Sequence, residues 1–229
     1  MNEQIKLAFP RYAEYNAPLK FLLEQGLKVQ CVMPPPLTDR SLELGAKHSP
    51  DFVCTPFKIT LGSMIEALEC GANTLVMAYG LCKLGYYGEL QEQILRDLGY
   101  EFRFINLQLY ETGKKKDFLK MMKAVNPKAK AAHCARIFLE TLHMADQLDE
   151  ITAEDYKNCG FAKDRAAYQN AYKHYINELY SVRSLADMEA AYRSVKRSFT
   201  ECEIQKPAQL LRVGITGDFY TAMDAFSNG

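Results

Sequence analysis

The sequence has no tryptophan, no net charge and no long apolar run, and the last two absences each remove a class of protein. Its 28 lysines and arginines balance 28 aspartates and glutamates, and no long segment departs far from neutrality: residues 1–110 carry −2, 111–206 carry +3 and the remainder −1. A polyanion-binding protein keeps a basic face, so nucleic-acid binding is not expected. No apolar stretch approaches the ~20 residues that span a bilayer. Met1-Asn2-Glu3-Gln4 lacks the basic start and apolar core of a signal peptide, so no membrane partner and a cytoplasmic location are expected. Phosphate loops and the GxGxxG dinucleotide pattern are missing too; Gly214-Ile215-Thr216-Gly217 has neither spacing.

What is present is a globular composition, 229 residues with 48% hydrophobic side chains and seven cysteines. In a reducing compartment an odd number of cysteines at irregular positions argues against a disulfide framework. Cysteines 31, 54, 70, 82, 134, 159 and 202 also match no zinc-ribbon or ferredoxin spacing. Any metal site has to be assembled by the fold.

The first 110 residues alternate strand and helix signals. Ile5–Phe9, Leu27–Met33, Thr74–Ala78 and Phe102–Leu107 are short apolar runs, and Phe52-Val53 is a brief fifth. Between them come Ala17–Gln25, a short helix capped by Thr38 or Asp39, Lys58–Cys70 and Tyr87–Leu98, with Gly26, Gly71 and Gly99 as stops. This predicts an α/β fold with a mostly parallel wound sheet. Residues 111–206 read as a helical cap or insertion: Lys116–Val125, Ala129–Leu148, Asp164–Tyr180 and a helix opened by Ser184 and ending near Phe199. Residues 207–229, with Leu210–Ile215 as a returning strand, read as the first strand of a second α/β unit.

Wound sheets bind ligands beyond the carboxyl ends of their strands. Two cysteines fall there, Cys54 before the helix of Ile59–Leu68 and Cys82 before the helix of Leu90–Leu98. The positive end of a helix favours a thiolate, which suits metal ligation or nucleophilic chemistry, and adjacent crossovers would bring the two together. A small core residue is the competing account for both, and the stronger one for Cys31, Cys70, Cys159 and Cys202. His133-Cys134, on one helix with His143, is a metal pair or ordinary helix surface. Tyr86 and Tyr87 either stack on a planar substrate or pack a helix start. Lys58 either holds a phosphate or is an ordinary exposed lysine, and the stripe Tyr168, Tyr172, Tyr175 and Leu179 reads as helix packing.

Three stretches carry a resemblance. Cys54-Thr55-Pro56-Phe57-Lys58, Leu61–Glu69 with Gly71-Ala72-Asn73-Thr74, and Gly80-Leu81-Cys82-Lys83-Leu84-Gly85-Tyr86-Tyr87-Gly88-Glu89-Leu90-Gln91 resemble the 2-hydroxyacyl-CoA dehydratase-related proteins. The match is to the branch called acyl-CoA dehydratase activase-related, or CoA-activase-like. Pro34-Pro35-Pro36 with Leu42–Gly45, and Arg212–Tyr220, fit the same pattern.

The resemblance implies that Cys54 and Cys82 are ligands of a 4Fe-4S cluster, with a further ligand from a second α/β domain of which most is lacking here. It also implies low-potential anaerobic acyl-CoA or allied reductive chemistry. In the dehydratases of the family that the chain resembles, an electron from an ATP-hydrolysing iron-sulfur activator makes a ketyl radical from a 2-hydroxyacyl-CoA. The expected partners are that activator, a chain supplying the missing domain, or a second copy of the protein. Cys134 is the substitute ligand if the helical region folds over the site. The alternatives are a non-catalytic binding or assembly module on the same scaffold, and a zinc or thiol-redox protein.

Overall fold

A computed structural model of the chain describes residues 4–79, 86–108, 122–123, 125–210, 213–214 and 216–228. Among the described residues four strands form one all-parallel sheet: β1 (Lys6–Ala8), β2 (Gln30–Cys31), β3 (Thr74–Tyr79) and β4 (Arg103–Gln108), in the order β2-β1-β3-β4. The register places Leu7 beside Cys31 on one side and Thr74 on the other, and β3 pairs with β4 along its full length from Thr74–Arg103 to Tyr79–Gln108. The expected α/β class is therefore observed.

The helices are α1 (Asn16–Phe21), continued by a π-helical turn at Leu22–Leu27, α2 (Asp39–His48), α3 (Thr55–Glu69), α4 (Tyr87–Asp97), α5 (Ala131–Asn158), α6 (Arg165–Leu179), α7 (Leu185–Glu201), α8 (Phe219–Met223) and α9 (Ala225–Asn228). Several ends were legible in the sequence. Gly71 and Gly99 stop α3 and α4 with φ of +90° and +89°, where a side chain would be strained. Ser184 caps α7, its Oγ accepting from Asp187 N at 3.2 Å. Helix α5 runs ten residues past the expected end at Leu148, because no breaker intervenes before Asn158.

The chain divides into two compact units. The first comprises residues 1–16, 27–131 and 216–229; the second comprises 17–26 and 132–215. In the first, Ala8, Leu75 and Met77 of the sheet bury against Phe57, Leu61, Met64 and Ile65 of α3 and Leu95 of α4. Each such side chain removed from water contributes about 1.5–3 kcal/mol. Helices α3 and α4 follow successive rightward steps along the sheet, so the right-handed crossover rule sets them side by side on one face. Helices α2 and α3 approach with backbone against backbone: a Cβ on Gly45 would stand 1.7 Å from the Lys58 carbonyl oxygen, and one on Gly62 1.7 Å from that of Ser41. Across this contact Ser41 Oγ donates to the buried Glu66 carboxylate at 2.6 Å, and Arg40 bridges Glu66 and Glu69 at 3.0 and 2.7 Å.

The second unit is helical. Tyr168 of α6 stacks on Phe199 of α7 at 4.2 Å, while Tyr175 and Leu179 are buried and the Tyr172 hydroxyl meets Thr152 at 3.1 Å. The tyrosine stripe is helix packing, as its spacing indicates. Lys196 joins Glu150 and Glu154 at 3.2 and 2.6 Å.

Three expectations differ from what is observed. Phe52 and Val53 lie in a turn instead of a fifth strand, since Pro50 and Pro56 close the stretch before it can reach a neighbour. Residues 17–26 cluster with the helical unit although they sit between two strands in sequence. Of the returning strand at 210–215, Leu211, Arg212 and Ile215 lie outside the described residues, and Leu210, Val213 and Gly214 are exposed and unpaired with any described strand. Residues 216–228 then pack into the first unit. The expected helix over 116–125 falls almost wholly outside the described residues.

Candidate functional site

The four described strands being parallel, their carboxyl ends share one edge of the sheet, where the loops after β1 and β2 and the first turns of α3 and α4 collect. The loop after β1 is fixed there by polar contacts. Arg11 N donates to Ser63 Oγ of α3 at 2.9 Å, and the Arg11 guanidinium donates to the Pro34 carbonyl, in the loop after β2, at 3.3 Å. The Tyr12 hydroxyl donates to the Met77 sulfur of β3 at 3.4 Å, and burial pushes its pKa well up. Beyond it Ala13 has a φ of +48°, a left-handed position that turns the chain into Asn16.

Cys54 is the N-cap of α3. Its backbone is extended, its carbonyl accepts from Phe57 N and Lys58 N at 3.1 and 3.3 Å, and Pro56 in the first turn starts the helix without needing an N–H partner. The thiol is exposed at the end of the helix where free N–H groups favour negative charge. Tyr86 holds the equivalent place on α4 and is 52% exposed. Tyr87 turns inward: its hydroxyl meets Thr60 Oγ1 at 3.3 Å and its ring packs edge-on to Phe57 at 4.9 Å. Gln91, fully buried, donates to the same Thr60 Oγ1 at 2.6 Å and to the Phe57 carbonyl at 3.2 Å. These contacts tie the starts of α3 and α4 together, so Cys54 and Tyr86 stand at the mouths of neighbouring helices. Of the two readings of the tyrosine pair, Tyr87 packs the helix start, leaving only Tyr86 disposed to stack on a ligand.

Cys82, with Gly80, Leu81, Lys83, Leu84 and Gly85, lies outside the described residues. Lys58 is half-buried in the second turn of α3, its backbone held against Gly45 of α2. Cys70, expected in the core, is exposed at the C-cap of α3, because the helix ends as the chain turns outward through Gly71. Cys31 is half-buried in β2, Cys159 and Cys202 are half-buried in the helical unit, and burial raises the Cys159 thiol. His133 and Cys134 both engage the end of the π-helical turn: His133 Nε2 meets the Gln25 carbonyl at 2.8 Å, and Cys134 Sγ donates to the Gly26 carbonyl at 3.2 Å. His143 instead pairs with Glu189 at 2.8 Å. The histidines and Cys134 are thus structural contacts of the helical unit.

Among the described residues no group of three or more His, Cys, Asp or Glu side chains is placed to hold a metal ion. A 4Fe-4S centre is held by several protein thiolates. Cys54 suits one of them, exposed and at the positive end of a helix, and the described residues do not complete the set. No described helix is long and apolar enough to cross a membrane.

Arg11 and Tyr12 stand out in no sequence pattern, and Ser63 and Tyr220 only as members of the resembling stretches, yet all four make contacts at this edge. Pro10 just after an apolar run was the available signal for a loop at the end of β1. No protein-family model, curated protein or solved structure matches the chain.

Proposed function

We propose that the chain is an iron-sulfur protein of the 2-hydroxyacyl-CoA dehydratase-related kind, with Cys54 and Cys82 as cluster ligands. The observation that carries this reading is the exposed Cys54 thiol at the start of α3, tied through Thr60, Gln91 and Tyr87 to the start of α4. Cys82 precedes α4 by a few residues, and the sequence around both cysteines resembles that family. A bound cluster would supply one electron at low potential to an acyl-CoA or allied substrate. The chain's own part is to present the thiolates at helix N-termini and to orient a planar group against Tyr86. Lys58 is the nearest candidate for a phosphate. The partners this reading calls for are an ATP-dependent iron-sulfur activator and a chain, or a second copy, that completes the ligand set in a cytoplasmic anaerobic setting.

Purification without oxygen should yield brown protein with roughly stoichiometric iron and sulfide, falling on Cys54→Ser or Cys82→Ser. Colourless, iron-free protein after anaerobic reconstitution sinks the proposal.

A second reading, a non-catalytic binding or assembly module on the same scaffold, is favoured by one observation: the Tyr220 side chain is packed at the carboxyl edge itself. It predicts iron-free protein that copurifies from its native cell with one defined partner chain.

A further inference from the structure

The strand order β2-β1-β3-β4 contains a switch point at β1, where the chain steps first to one side and then crosses to the other. Open α/β sheets take their ligands in the crevice beside such a point, at the carboxyl ends of the strands. In this protein the edge holds a side chain from far along the sequence. Tyr220, 1% exposed, enters between the loops after β1 and β2 and the first turns of α3, packing on Leu37 and Ile59. Its hydroxyl donates to the Arg11 carbonyl at 2.7 Å, and its neighbour Phe219 lies edge-on to Tyr12 at 5.8 Å.

The surroundings of Tyr220 are unlike those of an ordinary core tyrosine. Every described residue from Gln205 to Phe219 is exposed, so the chain arrives across open surface and sinks one ring. Helix α8, which bears the ring, has five residues and is held at its start by Asp218, whose carboxylate accepts from Tyr220 N and Thr221 N at 2.9 and 3.1 Å. An isolated helix of that length has no stability of its own. Asp224, buried next to it, adds a carboxylate near Glu14; burial raises the Glu14 carboxyl, Arg11 works against that rise, and repulsion from Asp224 adds to it.

We propose that residues 216–228 form a displaceable strap whose Tyr220 ring fills a ligand pocket, and that the pocket takes a flat, uncharged ring bearing a hydrogen-bond donor. The ring's own fit defines that chemistry: apolar walls from Leu37 and Ile59, an aromatic rim from Tyr12 once Phe219 leaves with the strap, and one acceptor, the Arg11 carbonyl. A ligand of this kind enters by replacing Tyr220, and the strap swings out on its exposed approach.

Hydrogen exchange on the full chain, read by mass spectrometry with 4-methylphenol as the probe, tests this. The amides of Ala222 and Asp224, which bond Asp218 and Tyr220 carbonyls, should exchange far faster than those of Leu61–Ile65 in α3. Tyr220→Phe keeps the ring but removes its donor, and should speed strap exchange about fivefold while leaving α3 unchanged. Millimolar 4-methylphenol should speed strap exchange in the wild type. In Tyr220→Ala the same probe should bind and slow exchange around Leu37 and Ile59, as small aromatic molecules fill engineered cavities. Strap amides that exchange in step with α3, or a wild-type strap indifferent to 4-methylphenol, overturn the proposal, and neither result depends on the alanine variant folding. Iron content plays no part in these readouts, so failure here is separable from failure of the iron-sulfur reading.

Discussion

Gly62→Ala should be among the most damaging single-methyl changes in the first unit, and the structure allows its size to be worked out. The added Cβ would lie 1.7 Å from the Ser41 carbonyl oxygen, which belongs to α2 backbone and has no rotamer to escape through. Normal contact is about 3.5 Å, so α2 has to retreat by nearly ~2 Å along that line. Forced overpacking of this kind costs about 1–3 kcal/mol. The retreat also stretches the 2.6 Å bond from Ser41 to the buried Glu66 carboxylate, and a hydrogen bond to a charged group contributes about 1.5–3 kcal/mol. Against this, alanine is a better helix former than glycine by about 1 kcal/mol. The net expectation is a loss of about 1.5–5 kcal/mol. Urea unfolding followed by circular dichroism measures it as a midpoint lowered by about 0.5 M or more, for a slope of about 1–3 kcal/mol per molar. Gly160→Ala makes the same chemical change where no atom lies within 4 Å and serves as the internal control. If the midpoints of Gly62→Ala and Gly160→Ala coincide, the close backbone packing of α2 on α3 is refuted.

Asp155 of α5 is buried, its Oδ1 has no hydrogen-bond partner among the described residues, and burial raises its carboxyl above the ordinary 3.8. A raised acid favours the fold most below its unfolded value, and that contribution is lost as pH rises through the folded value. Asp155→Asn does not titrate, so its melting temperature relative to wild type should climb with pH across that window and then level; a constant difference contradicts the assignment. Ser184→Ala removes the cap of α7 and should cost about 1 kcal/mol in thermal or urea unfolding, whereas an unchanged stability would mean Asp187 and water replace the cap fully. Under native conditions a thiol reagent should modify Cys54 and Cys70 rapidly and Cys134 only on unfolding, as peptide mapping of the labelled protein can verify. Protection of Cys54 in metal-free protein counts against an exposed N-cap.

Local signals were read well and distant ones poorly, for a physical reason that particular residues illustrate. Thr38, Ser184, Gly71 and Gly99 end helices through bonds and dihedral preferences spanning a few residues, so their sequence context was enough. The place of Cys54 at a helix start was legible in the same way, next to a helix opened by Pro56, but its exposure was not, since a small core residue stood as a competing account. Phe52-Val53 carried apolar character without a strand partner, and Cys70 looked like a core residue because its exposure depends on where the chain goes after Gly71. Tyr87 could not be assigned between stacking and packing until Thr60, Gln91 and Phe57 were seen around it.

By itself, then, the sequence determined the alternation of strands and helices, the absence of a membrane-crossing helix among the described residues, and the presentation of Cys54 at a helix start. These follow from periodicity, capping and backbone preference, which act within a turn or two. Only the tertiary structure decided that residues 17–26 cluster with the helical unit, that Tyr87 turns inward against Thr60 of α3, and that Tyr220 lies against Arg11 at the carboxyl edge. Such pairings join residues tens to hundreds of positions apart. They are selected by the burial of whole faces and the satisfaction of buried polar groups, neither of which any local stretch encodes.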